Sequence, residues 1–94
     1  MTPTAISAVV PRIRTTVAGR ITGVRVLSRP WMRFEVGLSD GTGTIVFTFM
    51  GRRAVPGLVA NGSLIAEGTP ALEFGRLIMR NPLYRYADGR AHSA

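Results

Sequence analysis

The sequence predicts an all-β fold: a five-stranded Greek-key barrel with a short helix or cap between strands three and four. Three observations carry this. Residues 31–39 and 44–50 alternate apolar and polar side chains with a period of two, as a strand does when one face is buried. Asp40-Gly41 lies between them, where a hairpin needs positive φ angles. The long Thr- and Val-rich stretch before them changes apolar phase at Gly23. A shift at a glycine marks a bulge or sharp coil, which lets one strand serve both halves of a closed sheet.

Residues 14–28 form the first predicted strand, with Val17, Gly19 and Ile21 on one side and a shifted set, Val24 and Val26, beyond Gly23. Ser28, Arg29 and Pro30 break the chain. In the second strand, residues 31–39, Met32, Phe34, Val36 and Leu38 share one face; Trp31, Arg33, Glu35 and Gly37 share the other. Asp40-Gly41-Thr42-Gly43 is the turn. In the third strand, residues 44–50, Ile45, Phe47 and Phe49 point inward, with Val46, Thr48 and Met50 outward. Residues 51–62 contain Pro56-Gly57 and Asn61-Gly62, and are expected to form the short helix or cap. The fourth strand spans residues 63–68, residues 70–75 read as a loop, and the fifth strand spans residues 76–80. Asn81-Pro82 ends it, and residues 83–86 extend along an edge. The predicted core is Val17, Ile21, Phe34, Val36, Leu38, Ile45, Phe47, Leu64, Ala66, Leu77 and Met79.

A chain of 94 residues has room for one core. Residues 1–13 are read as an arm or cap, residues 14–87 as the barrel domain and residues 88–94 as a flexible polar tail. There is no cysteine, and the single histidine, His92, lies near the end. Disulfides, a cysteine-based zinc site and histidine-based catalysis are therefore not expected. Glu35 and Glu67 read as isolated carboxylates, not as an acid/base pair. The expectation is a protein that is not an enzyme and uses no metal or cofactor. No stretch approaches the roughly 20 apolar residues of a membrane span, and the apolar run from Ala5 to Val10 lacks the basic flank of a signal peptide. The expected location is cytoplasmic.

The net charge is +7; all 12 basic residues are arginine. An excess of base over acid favours a polyanionic partner, nucleic acid or an anionic membrane, and the chain shows no amphipathic helix for the latter.

The strand pattern describes the oligonucleotide/oligosaccharide-binding (OB) barrel, with an SH3-like barrel as the alternative. A family likeness rests on Gly19-Arg20-Ile21-Thr22-Gly23-Val24-Arg25, Asp40-Gly41-Thr42-Gly43-Thr44-Ile45, Phe49, Pro56-Gly57-Leu58, Gly68 and Leu77-Ile78-Met79-Arg80-Asn81-Pro82. Over residues 14–86 this resembles the OB-fold wedge domain of the RecG branch-migration helicase, and stand-alone actinobacterial OB-fold proteins built on it. The resemblance implies non-catalytic binding of single-stranded or junction DNA. Without lysine these residues hold no Walker A sequence, so they carry no motor.

The candidate binding residues are Arg20, Arg25, Arg29, Trp31, Arg33, Thr48, Arg52, Arg53 and Arg76. Arginines follow phosphates. Trp31, on the face opposite Phe34, serves either as a platform for a base or as a plug of the barrel end. Arg52 and Arg53 follow the third strand and are expected to extend a basic groove on strands two and three. Arg80 either lines that groove or blunts an edge. The expected function is binding of single-stranded nucleic acid, DNA ahead of RNA, by phosphate contact and stacking. The alternative is a protein-interaction adaptor or homo-oligomer that uses outward positions such as Val46 and Met50.

Overall fold

The computed structural model describes residues 2–86. The tail expected at residues 88–94 lies outside them. The chain forms β1 (Thr15–Leu27), β2 (Arg33–Ser39), β3 (Thr44–Met50), β4 (Ser63–Gly68), β5 (Pro70–Glu73), β6 (Arg76–Arg80) and β7 (Leu83–Tyr86). They make one sheet in the order β5-β6-β3-β2-β1-β4-β7. Among the described residues the sheet therefore holds seven strands in an open order, where five were expected.

The extra strands have a local cause. Residues 70–75, expected as a loop, supply β5, which pairs with β6 from Pro70↔Met79 to Glu73↔Arg76. β4 pairs with β7 from Leu64↔Tyr86 to Glu67↔Leu83. These two ladders are the halves of one long hairpin. Thr69 interrupts one arm, and Asn81-Pro82 interrupts the other, where Asn81 takes a φ of 48° and Pro82 has no N–H to give. β4 also pairs with β1, while β6 runs parallel to β3. The two distant regions of the sheet are thus joined through Thr69 by the chain itself.

β1 and β2 pair as Ile21↔Leu38 and then as Gly23↔Gly37, so Thr22 is one residue extra. This is the bulge read from the phase change at Gly23. The turn from Asp40 to Gly43 joins β2 and β3, with Gly41 at a φ of 87°. Its carboxylate organises the corner. Asp40 Oδ1 accepts from the Thr42 amide at 2.8 Å and from the Thr42 hydroxyl. Oδ2 accepts from the Ile6 amide at 2.9 Å. These bonds, the Thr42 hydroxyl first and the Ile6 amide next, lower the Asp40 pKa from 3.8 to about 2. They also pin the only helical turn of the described residues, the 3-10 helix Ile6–Ala8, so that Ile6 enters the core at 2% exposure.

Of the predicted core, all but Leu77 are buried; Leu77 packs half-buried against the cluster. Phe49, Tyr86, Val55 and Leu58 complete it. Tyr84 meets Phe49 edge-on at 5.8 Å. Residues 51–62 contain no helix, which corrects half of that expectation; they form turns that cover the core with Val55 and Leu58. The turns are held by Ile21, whose amide donates to Gly62 and whose carbonyl accepts from Asn61. Gly57 is demanded there: φ is 82°, and a side chain would collide with the Tyr86 hydroxyl, which donates to the Pro56 carbonyl at 3.3 Å.

Candidate functional site

Cross-strand partners share a face of the sheet. The pairs Arg25↔Glu35, Arg33↔Met50, Glu35↔Thr48 and Thr48↔Arg80 therefore place these residues together on the outer face, with Val46↔Ile78 beside them. A groove of about 380 Å³ crosses this face, walled by Trp31 of the β1–β2 loop and Phe74 of the β5–β6 turn. Arg33, Arg76 and Arg80 line it with Glu35 and Glu73. Trp31 is 68% exposed and Phe74 wholly exposed. Leaving two large rings in water costs hydrophobic free energy.

Ionic contacts divide the arginines by role. Glu35 is 5% exposed and is bridged by Arg25 at 3.0 Å and by Arg33 at 3.3 Å. It is not the isolated carboxylate expected from the sequence; neither is Glu67, which Arg14 holds at 2.9 Å. Glu35 is buried on the outer face because two guanidiniums cover it, so its burial does not mean a slipped register. Arg33 also donates to the carbonyls of Arg29 at 2.9 Å and Trp31 at 3.1 Å. It is committed to the loop. Arg80 is committed to Glu73. Arg76 is exposed and has no ion-pair partner among the described residues, which leaves its charge available to a ligand.

Of the candidate residues, the groove brings together Trp31, Arg33, Thr48 and Arg76. Thr48 is buried at 4% exposure, in the floor. Arg25 flanks the adjoining depression, which shares Glu35 and Arg76. Arg29 lends its carbonyl to Arg33 and does not line the groove. Arg20 stands opposite Ser39, about 20 Å along β2 from Arg33 at roughly 3.3 Å per residue. Arg52 and Arg53 lie beyond the end of β3 and line neither depression. Arg52 instead lies near enough to Tyr84 to act on its hydroxyl, whose pKa is raised, by burial first and then by Tyr86, with Arg52 opposing.

Phe74 was missed by sequence reasoning. A signal existed: Phe74-Gly75 separates two apolar runs, and an aromatic at the tip of a hairpin has no core to enter. No cluster of acidic, histidine or cysteine side chains able to hold a metal occurs among the described residues. None of their helices is long and apolar enough to cross a membrane.

These features define an OB-fold domain. The chain is similar to the second OB-fold domain of replication protein A from Methanococcus maripaludis, solved by solution NMR. The TM-score is 0.69 at 15% sequence identity, covering 97% of this chain and 100% of that one. At that identity the likeness establishes the fold. No family model matches the chain, and no curated protein matches it.

Proposed function

We propose that the protein binds single-stranded nucleic acid, DNA ahead of RNA, on its outer face and without catalysis. The observation that carries this reading is the pair of exposed rings, Trp31 and Phe74, walling one groove that also presents Arg76. Bases stack on such rings with little regard to sequence, and a free guanidinium meets the phosphates. The similar structure is named as a domain of replication protein A, which supports nucleic acid as the ligand class. The resemblance to the RecG wedge extends the substrate to junction DNA. In this reading the long hairpin counts as strands four and five of a five-stranded barrel, closed through Thr69.

The test is a titration of Trp31 fluorescence with single-stranded and duplex DNA over a range of salt. Single-stranded DNA is expected to quench Trp31 more strongly and to bind with a linear fall of log K against log salt. Absence of binding at low salt, with self-association of the protein, would replace this reading with the adaptor.

A further inference from the structure

Beside the aromatic groove lies the second depression, joined to it through Glu35 and Arg76. Its floor is the cross-strand pair Gly23↔Gly37, so bare backbone is presented on the outer face. Thr44 and Val46 form its far side. Gly37 has a packing reason to be glycine, because a Cβ there would meet Thr22 Oγ1 at 2.8 Å. Gly23 has none. Its φ is not positive, and a Cβ built on it meets nothing within 4 Å. Gly23 follows the bulge at Thr22, where a glycine eases the bend; with no side chain above it, the same position leaves room for a ligand to approach the backbone closely.

We propose that the Gly23–Gly37 notch is a second subsite, in which a nucleic-acid strand leaving the Trp31–Phe74 groove lies directly on the sheet. Arg76, shared by both depressions, contacts the phosphate between them. The inference rests on the reading of the outer face as a nucleic-acid surface. Continuity with the aromatic groove and the charge of Arg76 argue for the same strand as occupant. The notch has no aromatic wall, so this subsite holds the sugar–phosphate backbone by close approach and does not stack a base.

The experiment compares oligothymidylates of about four and about twelve nucleotides, within the site sizes of such domains, by fluorescence anisotropy. Gly23→Val fills the notch from an open position. It is expected to leave the short oligomer within about twofold of the unaltered protein and to weaken the long one about tenfold, with the melting temperature retained. Thr44→Arg adds a cation at the rim and is expected to tighten only the long oligomer; it decides the matter if the valine variant does not fold. Variants that bind both lengths like the unaltered protein overturn the second subsite and leave the aromatic groove standing. An equal loss at both lengths with the fold retained overturns it too. An unaltered protein that binds neither length overturns both readings.

Discussion

The Arg33 guanidinium donates to the Trp31 carbonyl at 3.1 Å while its Nε meets the buried Glu35 carboxylate at 3.3 Å. One side chain thus ties the exposed platform to the sheet. A ring whose backbone is already held loses less entropy when a base stacks on it.

Trp31→Ala is expected to lower affinity for single-stranded DNA by about 1–3 kcal/mol with little change in melting temperature, because the ring contributes almost nothing to the core. Phe74→Ala is expected to do the same. A plug of the barrel would behave otherwise, since truncating a buried aromatic costs about 3–5 kcal/mol of stability. Melting temperature and oligonucleotide affinity measured on each variant separate the two roles.

Arg33→Ala is expected to act on stability first. It leaves Glu35 buried with Arg25 alone and frees the loop carbonyls, a loss of about 1–3 kcal/mol. Urea unfolding checks this. A DNA-affinity loss without a stability loss would make Arg33 a direct phosphate ligand.

Arg76→Ala is expected to weaken all sequences alike and to reduce the salt slope by about one unit, with unchanged stability. Replacing Arg52 and Arg53 together is expected to leave the slope unchanged, since neither lines the groove. Equal slopes for the Arg76 variant and the unaltered protein would remove Arg76 from the site.

How much of this was legible follows from the interactions involved. β2 and β3 were readable because Phe34, Val36, Leu38, Ile45, Phe47 and Phe49 repeat at the strand period and all enter the core. β5 was not, because it opens with Pro70 and spans only four residues; its identity comes from pairing with β6. The groove was half legible. Exposure of Trp31 follows from phase, but which arginines are free depends on Glu35 and Glu73, whose partners come from other strands or from strand ends. Local spacing records only the Arg33–Glu35 pair, two residues apart on one face of β2; Arg25–Glu35 and Arg80–Glu73 join different strands and leave no such record.

Acid is expected to loosen the corner at Asp40. Its pKa is about 2 in the folded protein against 3.8 otherwise, so its stabilisation is present above about pH 4 and is lost as the pH falls toward 2. The stability difference between the unaltered protein and Asp40→Asn, followed by urea unfolding, is expected to shrink over that window. A difference constant from pH 5 to about 2 would show that the carboxylate's charge contributes nothing there.

The extra residue at Thr22 works as a one-step gear between two parts of β1. Carried through unshifted, the pairing Ile21↔Leu38 would set Arg25 opposite Phe34 and Val24 opposite Glu35. The outer face would then lose Arg25, one of the two cations that cover its buried carboxylate. Length at this position is therefore a constraint on charge placement: a one-residue insertion or deletion before Val24 transposes the apolar and ionic faces of everything that follows to Leu27, whatever residues are chosen.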